Sequence, residues 1–112
     1  MKKKIDLYIF KTDKITLENI KKSTGSSYSN LIKNILIHYL NSPVELIPIV
    51  VKNNWHKFNK DNITTITISH KYLIDLTYWK NMSYALKSQY PDITFKKLIL
   101  FLIHEYLKVN YN

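Results

Sequence analysis

The sequence predicts an α+β fold, mostly helical, built from two copies of one strand–helix–helix unit. In each half an alternating apolar–polar stretch precedes a helical pattern and then a Ser- or Thr-capped apolar helix that ends in Tyr-Leu. The two capped helices align with one offset, because 94 minus 27, 98 minus 31 and 106 minus 39 all equal 67. Self-similarity at a fixed period is typical of a duplicated supersecondary unit.

The length of the chain limits how these two units can fold. With 112 residues the chain can form one compact domain or two very small units that share a core. A unit of roughly 40 residues buries too little surface to be stable alone, so the halves are expected to fold on each other. The expected boundaries are 1–41 for the first unit, 42–62 for the connection and 63–112 for the second unit.

The first strand and helix are predicted from periodicity and from one glycine. Residues 4–10 form a half-buried strand, because apolar side chains recur at every second position. Thr12, Asp13 or Thr16 could cap the helix that follows. That helix is expected to end at Gly25, which adopts a left-handed C-terminal turn without steric cost.

The second helix and the connection are predicted from a cap and two prolines. Ser27 stands where an N-cap is needed, and apolar residues then recur at helical spacing up to Leu40. Pro43 ends this helix. Val44 to Val51 is too apolar for a free linker, and with Pro48 inside it the stretch is expected to lie extended against a hydrophobic surface.

The second unit repeats the first with a longer first helix. Residues 63–68 form its strand, and Ser69 could cap the helix that follows. Pro91 separates its two helices, and Asp92 or Thr94 caps the last one. The first of these helices contains Tyr72, Leu73, Leu76, Trp79, Met82, Tyr84 and Leu86.

Charge points to an anionic partner. The net charge is +9, and Lys2, Lys3 and Lys4 are massed at the start. A small basic protein of this kind most often meets nucleic acid or an anionic surface, which leaves ribosomal and membrane-surface roles open. The chain has no cysteine, so neither a disulfide framework nor a thiolate zinc site is expected.

The apolar segments do not predict export or membrane insertion. Ile5 to Phe10 is short and is interrupted by Asp6, unlike the apolar region of a signal peptide. Leu98 to Ile103 falls far short of the ~20 residues that span a bilayer. We therefore expect a soluble cytoplasmic protein with no membrane partner.

A short motif carries a resemblance to a known family. A strand and a helix are followed by Gly25, Ser27, Ser29, Leu31 and Ile32 in a turn that opens a helix ending at Tyr39-Leu40. This pattern resembles the ribbon-helix-helix DNA-binding proteins, over residues 4–40 and again over 63–107. The tandem arrangement is similar to the duplicated ribbon-helix-helix transcription regulators of archaeal filamentous viruses. The resemblance implies an intramolecular pseudo-dimer and, for a viral protein, the cytoplasm of the host cell.

The family reads DNA with a two-stranded antiparallel ribbon in the major groove, so the resemblance implies that both strands come from this one chain. The strand period turns Ile5, Leu7, Ile9, Ile66 and Ile68 into the core. The opposite face could be only the solvated side of a small sheet. On the family reading, its outward side chains are candidates for base reading: Lys4, Asp6, Tyr8, Thr65 and Thr67.

The family also holds a phosphate at the N-terminus of each unit's second helix, where backbone amides and the helix dipole favour an anion. In copy one the resemblance maps this contact onto Ser26, Ser27, Tyr28 and Ser29. In copy two it maps onto Thr94, Phe95, Lys96 and Lys97. Ser27 and Thr94 could equally serve only as helix caps, and the two roles are compatible.

Other functional classes are less well supported by the sequence. The four histidines form no local pair with ligand spacing, so no metal is expected. We find no glycine-rich phosphate loop and no nucleophile motif, so neither an enzyme nor a cofactor is expected. The alternatives to a DNA-binding regulator are an antitoxin-like protein-interaction module and a nonspecific nucleic-acid-binding protein.

The composition also bears on the DNA sequence bound. All seventeen basic residues are Lys. The commonest specific contact to guanine is a bidentate Arg, while a threonine methyl suits the methyl group of thymine. An operator rich in A·T pairs is therefore expected.

The last helix predicts self-association. Copy one has Lys33 and Asn34 where copy two has Leu100 and Phe101, which makes the helix apolar around nearly its whole circumference. An apolar surface left uncovered marks an interface, so Leu100 and Phe101 are expected to join two chains into a homo-oligomer. The alternative is that Val44 to Val51 buries them within one chain.

Overall fold

Two β-strands and five α-helices make up the part of the chain that the structure describes. In a computed structural model that part is residues 4–69 and 76–111. The elements follow in the order β1 (Lys4–Phe10), α1 (Lys11–Thr24), α2 (Tyr28–Leu40), α3 (Leu46–Asn54), β2 (Ile63–Ser69), α4 (Leu76–Ala85) and α5 (Phe95–Tyr111). Short 3-10 turns occupy Trp55–Lys57, Lys60–Asn62 and Leu86–Ser88. The predicted α+β class, mostly helical, is confirmed.

Some of the expectations fall outside this part of the chain. Lys2, Lys3, His70, Tyr72 and Leu73 lie outside the described residues. The same holds for the start of the helix that Ser69 was expected to cap.

The two strands come from opposite halves of the sequence and pair with each other. β1 and β2 form an antiparallel two-stranded sheet, with Leu7 opposite Ile66 at its centre. On the inner face Leu7, Ile9, Ile66 and Ile68 are at most 4% exposed, while Ile5 is partly buried. The alternation predicted for both strands is therefore confirmed, and each half supplies one strand of the ribbon.

The start of α1 differs from the prediction, and its end agrees with it. Phe10 occupies the N-cap position of α1, and a phenyl group cannot accept hydrogen bonds from the first amides of a helix. The proposed caps were wrong, because the chain passes from β1 into α1 with no intervening polar residue. Asp13 is instead buried, with its Oδ2 atom 2.9 Å from Nδ1 of His104. Gly25 ends α1 with φ 74°, as predicted.

The connection is helical where an extended segment was expected. α3 begins at Leu46, so Pro48 is its third residue. The first amides of a helix have no intrahelical acceptor, so a proline in the first turn costs no hydrogen bond. α3 packs against α5 through buried Ile47, Val50 and Val51. The extended conformation expected for Val44 to Val51 was therefore wrong. Its packing against a hydrophobic surface was right for Ile47, Val50 and Val51, whereas Val44 and Ile49 are exposed.

α5 is the central helix of the core. It packs against β1 and against all four other described helices, and Leu98 to Ile103 are each 0% exposed. Leu100 and Phe101 are thus buried within one chain, partly under Trp55, whose ring centroid lies 5.8 Å from that of Phe101. Their assignment to a chain-to-chain contact was wrong, because β1 and the four other described helices surround α5 within the chain.

Within residues 4–69 and 76–111, we find no helix with the length and hydropathy needed to cross a membrane.

Candidate nucleic-acid interface

The outer face of the ribbon carries the side chains that the strand period turned outward. Across the strands, Asp6 pairs with Thr67 and Tyr8 pairs with Thr65. Side chains directly opposite each other share one face of a sheet. Tyr8 is 39% exposed, and the other members of the predicted set are also exposed. The outward orientation is therefore confirmed for Lys4, Asp6, Tyr8, Thr65 and Thr67.

One of these cross-strand pairs is hydrogen-bonded. Thr67 Oγ1 donates to Asp6 Oδ1 at 2.5 Å. The hydroxyl proton of Thr67 is thereby engaged in the free protein, while Asp6 keeps a second carboxylate oxygen. A carboxylate accepts hydrogen bonds from an exocyclic amino group of a base. This pair can therefore offer acceptors and a methyl group to a ligand on the outer face.

The first turns of α2 and α5 are capped in the same way. Ser27 Oγ accepts a hydrogen bond from the amide of Asn30 at 3.2 Å. Thr94 Oγ1 accepts one from the amide of Lys97, also at 3.2 Å. Both predicted caps, which lie 67 residues apart in the sequence, are confirmed.

Each of these helix starts also lies beside an ammonium group from the preceding helix. Lys21 Nζ lies 4.6 Å from the ring centroid of Tyr28, and Lys80 Nζ lies 5.3 Å from that of Phe95. Sequence analysis did not select Lys21 and Lys80. The sequence could have indicated them as an equivalent pair. They are 59 residues apart, which is also the separation of Leu7 and Ile66 at the centres of the two strands. Positive charge therefore lies near both helix N-termini.

Each helix start also contacts the strand of the other half. The amide of Ser69, at the end of β2, donates to Ser29 Oγ in α2 at 2.9 Å. Lys96 Nζ in α5 lies 5.7 Å from the ring centroid of Tyr8 in β1. Ser29 and Lys96 are equivalent positions, because 96 minus 29 is 67. The N-terminal turns of α2 and α5 therefore both lie beside the ribbon.

The predicted phosphate contacts of copy one are partly engaged within the protein. The hydroxyl of Tyr28 donates to Glu18 Oε1 at 3.1 Å. Burial, followed by this hydrogen bond and the Glu18 charge, raises the pKa of Tyr28, so its phenol stays neutral at physiological pH. A phosphate at this helix start would therefore meet the backbone amides of Tyr28 and Ser29 rather than the tyrosine hydroxyl.

In copy two the lysine ammonium groups lie near aromatic rings. Lys97 Nζ lies 4.3 Å from the centroid of Phe58 and 5.3 Å from that of Trp55, both in the connection. Sequence analysis did not select Phe58, because only Val44 to Val51 of the connection was considered as a possible cover for the last helix. The ring of Phe58 nevertheless lies beside the ammonium group of Lys97.

An open concavity joins this end of α5 to the ribbon. Its volume is about 510 Å³. Ribbon residues form one wall of it, and the connection and the start of α5 form the rest. The lining includes Tyr8, Phe58, Lys60, Thr65, Thr94 and Lys97. Lys60 thus joins the candidate interface, although no pattern in the sequence indicated a role for it.

Metal binding is not indicated by the described part of the chain. Among its residues we find no group of three or more His, Asp or Glu side chains that could hold a metal ion.

Compared with protein families, with curated proteins and with solved structures, the chain has no significant match.

Proposed function

We propose that this protein is a sequence-specific double-stranded DNA-binding transcription regulator of the ribbon-helix-helix type. One chain acts as a pseudo-dimer and inserts the β1–β2 ribbon into the major groove. The observation that carries the proposal is the antiparallel pairing of β1 with β2, which presents Asp6 with Thr67 and Tyr8 with Thr65 on one exposed face. A chain with this ribbon needs no second subunit to complete the reading element.

The dimensions of the ribbon suit the groove. The major groove is about 12 Å wide and admits a two-stranded ribbon, whose strands are about 4.8 Å apart. Lys4, Asp6 and Tyr8 recur at every second residue, so they extend over roughly 13 Å of strand at about 3.3 Å per residue. With base pairs about 3.4 Å apart, this distance corresponds to about four of them.

The helix N-termini supply the complementary phosphate contacts. The amides in the first turn of a helix lack intrahelical partners, and the helix dipole favours an anion there. Ser29 and Lys96 join these first turns to the ribbon, so a duplex in contact with the outer face would have its backbone near both. Phosphate contacts of this kind fix the register of a protein on DNA, and base contacts add specificity.

The experiment is a selection of bound fragments from random duplex DNA, followed by affinity measurements at one stated salt concentration. We expect the selected duplex to bind at least about a thousandfold more tightly than random duplex, the lower end of the usual specificity range. Equal affinity for selected duplex, random duplex and single strands would favour a nonspecific nucleic-acid-binding protein instead. Absence of binding to any of them would favour the antitoxin-like interaction module.

A matched pair of variants distinguishes the effect of a positive charge at the ribbon from the effect of the protein's overall charge. Lys96→Gln removes a positive charge at the ribbon. Lys108→Gln removes one near the other end of α5, roughly 18 Å away at about 1.5 Å of rise per residue. Both lysines lie on α5. We expect the first variant to weaken binding to duplex DNA and the second to leave it within about twofold of the wild type.

A further inference from the structure

The two strands of the ribbon are arranged symmetrically, but their outer side chains are not equivalent. Leu7 lies opposite Ile66, and these are also the equivalent positions of the two halves, 59 residues apart. A two-fold axis through this pair would exchange Asp6 with Thr65 and Tyr8 with Thr67, because each of these differences is also 59. In a symmetric ribbon the members of each exchange would be identical.

The chemistry of the two half-faces therefore differs. One half presents Asp6 paired with Thr67, and the other presents Tyr8 paired with Thr65. A carboxylate only accepts hydrogen bonds, whereas a tyrosine phenol donates and accepts and carries a large ring. Each base pair displays its own donor and acceptor pattern in the major groove. The two half-faces thus favour different base pairs.

The flanking contacts are unequal as well. Ser29 in α2 and Lys96 in α5 occupy equivalent positions, yet only Lys96 carries a charge. The next position is Asn30 in α2 and Lys97 in α5. The concavity on the α5 side is lined by two lysines, Lys60 and Lys97, and by one carboxylate, Asp92. The α5 end of the interface therefore presents more positive charge to a DNA backbone than the α2 end.

From these differences we infer that the protein binds a non-palindromic duplex site and binds it in one fixed orientation. The inference rests on the proposed function. A homodimeric ribbon presents the same side chains in both halves and so matches an inverted repeat. This single-chain ribbon presents different side chains, so reversing the duplex would set each half-site against the wrong half-face.

The first test uses the duplex selected from random DNA and two symmetrised derivatives, each made of one half-site repeated as an inverted repeat. We expect the selected duplex to bind at least about tenfold more tightly than either derivative, the cost of one or more mismatched base pairs. A palindromic selected site, or a derivative that binds as tightly as its parent, overturns the inference while leaving DNA binding in place. Failure to select any site removes the proposed function itself.

A double variant tests the cause of the asymmetry. Asp6→Thr together with Tyr8→Thr gives the same side chain at all four exchanged positions. Threonine is favoured in strands and both sites are exposed, so the ribbon should be retained, which circular dichroism and thermal unfolding would check. A repeat of the selection should now yield a core closer to an inverted repeat. If the folded double variant selects the same asymmetric core, the outer side chains are not its source.

Orientation is tested directly by cleavage from a single attached probe. The chain has no cysteine, so Lys60→Cys provides a unique thiol for an iron chelate that generates hydroxyl radicals. Asn30→Cys, in the first turn of α2, provides the matched probe at the other end. With saturating protein on the selected duplex, we expect each probe to cut one side of the site, and the two probes to cut opposite sides. Equal cleavage on both sides by one probe contradicts a fixed orientation.

Discussion

Thr67 donates its hydroxyl proton to Asp6 across the ribbon, so these two residues form one unit on the outer face. Thr67→Ala removes the methyl group, the hydroxyl and the partner of the carboxylate together. Since a base contact is typically worth about 1–3 kcal/mol, we expect this variant to lose affinity for the selected duplex and to change little on random duplex. Binding curves on the two DNAs measure this. An equal loss on both would rule out a reading role for Thr67.

The ammonium group of Lys96 lies beside the ring of Tyr8, where it can meet a phosphate at the edge of the groove. We expect Lys96→Ala to weaken all duplexes by a similar factor and to lower the slope of log affinity against log salt by about one. A salt titration of wild type and variant provides the measurement. If the affinity loss is confined to the selected duplex, Lys96 reads bases instead.

The operator is predicted to be rich in A·T pairs where the ribbon contacts it. The chain has no arginine for the bidentate guanine contact, and Thr65 and Thr67 are both exposed on the outer face. Sequencing of the selected fragments tests the prediction, and a core dominated by G·C pairs would refute it.

Asp13 and His104 form a largely buried contact between α1 and α5, at 2.9 Å. We expect His104→Ala to lower the free energy of unfolding by about 1–3 kcal/mol, because it leaves a buried carboxylate without its partner. Asp13→Leu combined with His104→Ala should recover much of that loss, since the buried carboxylate is then absent as well. Urea unfolding of the single and double variants measures the coupling, and additive losses would mean that the contact contributes nothing.

Tyr39 is expected to make the stability of the fold depend on pH above pH 10. Burial, and to a smaller extent the charges of Glu105 and Tyr106, raises the pKa of Tyr39 well above its ordinary value of 10.0. The folded state thus holds this proton more tightly than the unfolded state. The resulting stabilisation is complete below pH 10 and is lost as the pH rises further. We expect Tyr39→Phe to lose less stability than wild type above pH 10, and equal losses would contradict this.

The features that the sequence predicted correctly depend on local chemistry. Strand alternation identified the outer face, and the caps at Ser27 and Thr94 and the end of α1 at Gly25 follow from the side chain or the backbone of a single residue. Such signals act within a few positions of the chain. The sequence therefore predicted which side chains lie on the outer face and which residues cap the helices, but not how these elements are arranged around the site.

The features that the sequence missed depend on contacts between distant segments. The apolar circumference of α5 predicted a chain-to-chain contact through Leu100, whereas this residue is buried by other elements of the same chain, which the pattern of α5 does not describe. Asp13 was assigned to a cap because its partner, His104, lies 91 positions away. The contact between Phe58 and Lys97 was missed for the same reason, because it depends on how the connection packs against α5.

The central claim is that the β1–β2 ribbon reads bases in the major groove, and one substitution in the DNA tests it most directly. Uracil in place of thymine removes only the C5-methyl group, which lies in the major groove. We predict that this replacement in the core of the selected duplex weakens binding by roughly tenfold. Inosine in place of guanine, which removes a minor-groove amino group, should have little effect. Unchanged binding to the uracil duplex, together with weakened binding to the inosine duplex, would contradict the account.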